Sequence, residues 1–353
     1  METHPANTDA SIRATVTNCA ASLVFGPFCL HMPTRGLTDI DGIRVGHVSD
    51  FDALTGCTAI LCERGAVAGA SIQGGASGTE EFETMSPWHI TPVVHGVLLA
   101  GGSAFGLEAV SGVRRFLEQK GVGFATGYAN VPIVPGAILY DLGIGKASVR
   151  PTREMGEAAA AAASDGPVAE GCVGAGTGAT VGKMNGMKQA MKAGIGTSTV
   201  EVGAAWPGVK VSALVAVNAF GDVRDVETGQ LIAGARVAPE SRELAGTLRL
   251  LRERPAQGGL KRENTTLAVV ATNARLDKVQ ATRLAFLAHH GFVRAIEPVH
   301  TSMDGDLCIA LSTGKEAAPV DVLGMAAAEA VARAIARAVR LAKTMGGVPG
   351  LAG

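Results

Sequence analysis

Two hydrophobic rhythms alternate along the chain. Residues 57–62 and 93–100 are short, nearly unbroken apolar runs, and their length predicts strands. Beyond Ser103, apolar residues recur at helical spacing (Leu107, Val110, Val113, Leu117), with Ser103 as the expected cap and Gly121 as the stop. An alanine-rich helix is predicted over residues 155–164. Residues 209–217 and 223–226 read as a hairpin turning near Gly221-Asp222. The charged stretch 238–263, broken by Pro255 and Gly258-Gly259, reads as an exposed helix followed by a loop. A buried strand over 267–271, a helix over 277–289 and strand-like runs at 292–296 and 307–312 follow. The last element is a long helix over 320–343, with Val331, Ile335 and Val339 on one face.

Ordered sequence is expected from residues 36–40, continued by 45–48. Residues 1–35 lack periodicity and read as a leader, disordered or untranslated, with Met32 as a candidate true start. Strands and helices alternate, but a late hairpin argues against a purely parallel sheet. Two packed sheets with helices outside suit the small residues.

Composition narrows the picture. Of 353 residues 47% are hydrophobic and 18% charged, enough for a sizeable core. The net charge of −1 gives no electrostatic reason to expect a nucleic acid or an anionic membrane as partner. No apolar run reaches the ~18 residues of a membrane span. Residues 19–32 are mildly apolar but lack the positive front of a signal peptide, so the chain reads as cytoplasmic. Six cysteines without C-x-x-C spacing read as reduced structural thiols. The 47 glycines fit either tight turns around a site or close packing of layers.

Several motifs fail on inspection. The stretch from Gly174 to Lys183 misses the phosphate-loop pattern, because Thr177 stands at the first glycine's place and Met184 follows the lysine. Gly101-Gly102-Ser103-Ala104-Phe105 lacks the second glycine of a nucleophile elbow. His300, Asp304 and Asp306 are weak as a metal set, and His289-His290 is ordinary at a helix end. No metal or organic cofactor is expected.

There remains Asn264-Thr265-Thr266-Leu267, just ahead of the buried strand. Taken alone, threonine at a strand start after asparagine is commonplace. Together with Asp39-Ile40-Asp41-Gly42-Ile43-Arg44-Val45-Gly46-His47, Leu99-Ala100-Gly101-Gly102-Ser103-Ala104-Phe105-Gly106-Leu107-Glu108-Ala109 and Met303-Asp304-Gly305-Asp306, it gives four blocks in order over most of the chain. This constellation resembles the L-aminopeptidase/D-esterase family of autoprocessing N-terminal-nucleophile hydrolases, which includes β-aminopeptidases and nylon-oligomer (6-aminohexanoate oligomer) endohydrolases.

The resemblance implies a four-layer α/β/β/α sandwich, of the kind shared with ornithine acetyltransferases. It also implies cleavage between Asn264 and Thr265 into an α chain (36–264) and a β chain (265–353) that form one catalytic domain. Where aminopeptidase members carry serine, this chain carries Thr265, as the nylon-oligomer hydrolases do. Cleavage would expose an α-amine beside the threonine hydroxyl, joining general base and nucleophile in one residue. By the same resemblance Asn218 is the oxyanion-hole donor, Lys183 a cation near the nucleophile, Asp304 and Asp306 an acidic pair that exchanges its proton, and Tyr140 a substrate-pocket residue. The expected activity is hydrolysis of small amides or peptides by a homo-oligomer of αβ units. An acyltransferase and a non-catalytic assembly protein are the rival readings.

Overall fold

The computed structural model describes residues 35–253 and 264–353. Residues 1–34, with the expected leader and Met32, and the loop expected around Pro255 lie outside them. Eight strands carry the two main sheets: β1 (Arg44–Asp50), β2 (Thr55–Ile72), β3 (Val94–Ala100), β4 (Gly136–Ile138), β5 (Ile195–Glu201), β6 (Lys210–Asn218), β7 (Thr265–Ala274) and β8 (Leu307–Glu316). Their order is β5-β6-β7-β8-β2-β3-β4, with β1 also on β2 and the short Thr79–Glu80 strand on β4. Pairs β7·β8 and β3·β4 are parallel. The 18-residue β2 belongs to both sheets. Its first part pairs with β1 and β3, its last part with β8.

Alternation along the strands assigns the layers. Ala213, Val215 and Val217 of β6, Ala268 and Val270 of β7, and Cys308 and Ala310 of β8 pack under α4 (Lys278–Ala295) and α5 (Val320–Arg340). The alternate positions Leu214, Ala216, Leu267, Val269, Leu307 and Ile309 meet Ile60, Val97 and Leu99 of the other sheet. On that sheet's outer face Ala59, Leu61, Leu98 and Ala100 meet α1 (Glu108–Gln119) and α2 (Arg153–Ala161). Helices, sheet, sheet and helices stack as the expected α/β/β/α sandwich. Glycine serves the close approach of these layers: a Cβ on Gly69 of β2 would fall 2.1 Å from the Thr282 nitrogen of α4, and one on Gly196 of β5 2.0 Å from the Ala334 carbonyl oxygen of α5.

Local signals set several boundaries. Thr152 accepts from the Met155 N–H to cap α2, and Asp277 with Gln280 forms a capping box that starts α4. Four expectations need correction. Ser103 caps nothing: it has φ +54 and opens a 3-10 turn (Ser103–Leu107) that leads into α1. The expected hairpin does not form, because β6 is flanked by β5 and β7 and has no free edge. Asp222–Arg224 instead pairs with Leu231–Ala233 and Ile296–Glu297 in a separate small sheet. Residues 292–295 continue α4, because Ala285, Ala288, Phe292 and Ala295 form its buried face. Within the charged stretch 238–253 only α3 (Thr247–Glu253) is helical.

The cysteines among the described residues (57, 62, 172 and 308) are free and buried, and burial pushes the Cys57 and Cys62 thiols up to about 12. No described helix is long and apolar enough to cross a membrane.

Candidate active site

The sequence-predicted residues converge where β6 ends and β7 begins. Thr265 is the first residue of β7 and lies directly opposite Asn218, the last residue of β6. Strand parity aligns Thr265 with Leu267 and Asn218 with Ala216, so both side chains lie between the sheets while Thr266 faces the other way. Both are buried, Thr265 at 3% exposure.

The Asn264–Thr265 peptide is held from two sides. Asn264 forms a parallel bridge with Asp304. Its carbonyl oxygen accepts the Gly305 N–H at 2.9 Å and the Thr265 hydroxyl at 2.5 Å. A side-chain hydroxyl and a backbone N–H therefore meet at one carbonyl oxygen.

Asn218 is gripped at both ends of its side chain. Its Oδ1 accepts from Lys183 Nζ at 2.7 Å and from the Thr180 N–H at 3.1 Å, while its Nδ2 donates to the Tyr140 carbonyl at 2.8 Å. Lys183 also donates to the Asn218 carbonyl at 3.0 Å. Tyr140 is half-buried and lines a small cleft with Ile144, Thr180, Lys183 and Met187. Thr265 and Asn218 are not among the residues lining it.

The two carboxylates differ in their partners. Asp306 Oδ1 accepts the Thr266 N–H at 2.7 Å, and its Oδ2 accepts the His300 N–H at 3.1 Å and faces His300 Nδ1 at 3.0 Å. Asp304 Oδ2 accepts the Thr301 N–H and hydroxyl at 2.9 and 2.7 Å, whereas its buried Oδ1 has no partner among the described residues. Burial, and then the neighbouring Asp306 charge, push the Asp304 carboxyl up to about 6, a value suited to accepting and returning a proton near neutrality.

Three contributors escaped the sequence reading. Gly305, between the two acids, offers its N–H, and a Cβ there would sit 2.6 Å from Thr265 Oγ1. Lys192 is fully buried and donates to the Thr177 and Ala179 carbonyls, both at 2.8 Å, bracing the segment whose Thr180 N–H holds Asn218. Burial lowers its ammonium to about 8. His300, discarded as a metal ligand, instead carries Asp306. A glycine between aspartates hinted at the first, and nothing local marked Lys192.

Residues 35–352 match the model of peptidase family S58. The chain belongs to that family. It is 37% identical over 353 aligned positions to an uncharacterized aminopeptidase of Mycobacterium leprae, covering 90% of this chain and 93% of that one. It is 30% identical to the 6-aminohexanoate-oligomer endohydrolase of Kocuria sp. (strain KY2), covering 78% of this chain and 74% of that one. Among solved structures, a Burkholderia sp. β-aminopeptidase superposes with TM-score 0.63 at 25% identity, over 90% of each chain. The L-aminopeptidase D-Ala-esterase/amidase of Ochrobactrum anthropi, a variant of the Ntn-hydrolase fold, superposes with TM-score 0.66 at 23% identity over 90% and 89% of the two chains, and so shares the fold. This S58 member is a hydrolase of amide or peptide bonds, and its architecture is that of the Ntn-hydrolase aminopeptidases.

Proposed function

We propose that this S58 peptidase activates itself by cleaving the Asn264–Thr265 bond and then hydrolyses small amides through an acyl-enzyme on Thr265. The meeting of the Thr265 hydroxyl and the Gly305 N–H at the Asn264 carbonyl oxygen carries this reading. In self-cleavage Thr265 Oγ1 bonds to the Asn264 carbonyl carbon and the carbon–nitrogen bond breaks. The hydroxyl proton leaves Oγ1, and the departing Thr265 nitrogen gains one. Gly305 supports the oxyanion, a backbone role of the kind that oxyanion holes use. Water then hydrolyses the ester, releasing the Asn264 carboxylate and restoring the hydroxyl.

The new terminus carries an amine with an ordinary value of ~7.7–8.0, able to take the hydroxyl proton in turnover. Substrate acyl groups bond to the same Oγ1 that the Asn264 carbonyl carbon had occupied, so the Gly305 N–H serves both reactions. Asn218 adds a side-chain donor. Lys183 fixes the Asn218 amide and, lying close enough to Asp304 to favour its charged form, tempers that carboxyl. Asp304 exchanges the nucleophile's proton, Asp306 holds the Thr266 N–H, and Tyr140 lines the substrate cleft.

The α chain (36–264) and β chain (265–353) remain one catalytic domain, because β6 and β7 are laddered along their length. The mature enzyme is a cytoplasmic homo-oligomer of such αβ units. Threonine as nucleophile and the similarity to a 6-aminohexanoate-oligomer endohydrolase favour substrates with a free amine set away from the scissile amide. Rates on p-nitroanilides of L-α-, D-α-, β- and 6-amino acids test this. The β- or 6-amino compound should be fastest and activity should be absent in Thr265→Ala; preference for L-α compounds would overturn the substrate class alone.

A further inference from the structure

Behind the carboxylate pair runs a chain of polar groups, from half-buried His300 to buried His289, that the proposed chemistry leaves unused. His289, on α4, is buried, and its Nε2 lies 3.0 Å from the Ser71 carbonyl of β2. A carbonyl only accepts, so Nε2 carries the proton. Burial lowers His289 to about 4, which leaves the ring neutral and its Nδ1 an acceptor. His300 Nε2, 3.2 Å from that Nδ1, is then a donor. The other nitrogen of His300, Nδ1, faces Asp306 Oδ2 at 3.0 Å, and one proton must lie between them.

His300 is built into this place. Its φ of +57 lies in the left-handed region that non-glycine residues seldom occupy, and this turn lets its own N–H and its ring both reach Asp306 Oδ2. Its ring packs edge-on against His289, with centroids 4.7 Å apart. Asp306 thereby has donors on both oxygens, while Asp304 keeps one oxygen without a partner among the described residues.

We infer that His300, braced by His289, is a positioning residue that occupies Asp306 Oδ2 and holds that carboxylate in place, so that Asp304 is the carboxylate that exchanges the nucleophile's proton. The inference deepens the assignment of Thr265 as nucleophile and rests on it. Among the described residues, the other charged or titratable groups facing this cluster are Lys183, on the Asp304 side, and His290, beside His289 on α4. Cleavage adds the Thr265 amine.

The Asp306 charge already raises the Asp304 carboxyl, and the donors on Asp306 Oδ2 share that charge. Removing the His300 ring should therefore raise the pH at which Asp304 loses its proton. The test is kcat/KM against pH for the wild type, His300→Asn and His300→Ala, together with ring 15N NMR of the wild type. Asparagine tolerates positive φ and places an amide donor near the position of Nδ1. In His300→Ala the acid limb should move up by about one to three pH units, with at least a roughly tenfold loss at pH 6. His300→Asn should shift the limb less than half as far. The NMR spectrum should show a proton held between His300 Nδ1 and Asp306 through the neutral range.

An unshifted limb in His300→Ala overturns the inference, as does equal loss in both variants with unchanged pH dependence. Should His300→Ala fail to fold, the NMR result decides: a ring that exchanges protons freely with solvent overturns it. That readout needs no turnover, so it separates failure here from failure of the Thr265 assignment.

Discussion

Asn218 and Thr265 stand directly opposite each other in the antiparallel ladder of β6 and β7, with both side chains between the two sheets. Rigid strands, rather than loops, thus set the spacing between amide donor and hydroxyl. The Asn218 side chain is further fixed by Lys183, Thr180 and Tyr140. Asn218→Ala should lower kcat/KM by ~10²–10³, the usual effect of losing an oxyanion donor. Steady-state kinetics on a hydrolysed p-nitroanilide checks this, and a change below about threefold would remove Asn218 from the site.

Gly305→Ala brings a methyl group to within 2.6 Å of Thr265 Oγ1 and 2.9 Å of the Ala76 carbonyl. The hydroxyl must move away from the Asn264 carbonyl. Self-cleavage should slow by at least about a hundredfold, with stability falling by roughly 1–3 kcal/mol. Densitometry of a denaturing gel over time, paired with urea unfolding, separates the two effects.

Thr266→Val tests whether position or mere proximity matters. The Thr266 hydroxyl is buried without a hydrogen-bond partner among the described residues, and the useful contact of this residue is its backbone N–H on Asp306. Valine keeps shape and N–H while removing the unpartnered group. Processing and turnover should stay within about threefold of the parent, and stability should hold or rise by about 1 kcal/mol. Loss of processing would mean that the second hydroxyl participates.

Asp304 should give a pH-dependent stability signature. Its carboxyl is raised in the folded chain to about 6 from an ordinary 3.8, so the folded state favours the neutral form. The resulting penalty is absent below the unfolded value and develops as pH rises through about 6. In an uncleavable Thr265→Ala background, Asp304→Asn should stabilise by on the order of 2 kcal/mol at pH 8 and by much less at pH 4. Urea titrations at both values measure this, and equal effects at the two would contradict it. In the parent background the same substitution should abolish most activity.

The sequence carried the layers and the residues that cluster at the candidate site better than the connections between them. Leu267, Val269 and Ala271 alternate with Ala268 and Val270, and that parity alone points Thr265 to one face and Thr266 to the other. Asn264, Thr265, Asp304 and Asp306 stood in recognisable blocks. The failures involve long-range choices. A run such as 209–217 looks the same whether it pairs with the next strand or with two distant ones, and here β5 and β7 occupy both its edges. Phe292 closes an apolar run that suits a strand or a helix, and packing beneath α5 selects the helix. His300 meets His289 only because α4 and the loop before β8 converge, and Lys192 reaches Thr177 and Ala179 because residues 191–192 pair back on residues 180–181. Local periodicity records neither meeting.

Intact-mass spectrometry of purified parent, Thr265→Ser and Thr265→Ala proteins after incubation at neutral pH tests most directly whether Thr265 is the nucleophile of its own release. The parent should appear as two species of about 27 and 9 kDa, less any leader, from the 35.8 kDa chain, the smaller beginning at Thr265. Thr265→Ser should cleave at the same bond, and Thr265→Ala should remain whole. An uncleaved parent, or a Thr265→Ala protein cut between residues 264 and 265, would contradict the mechanism.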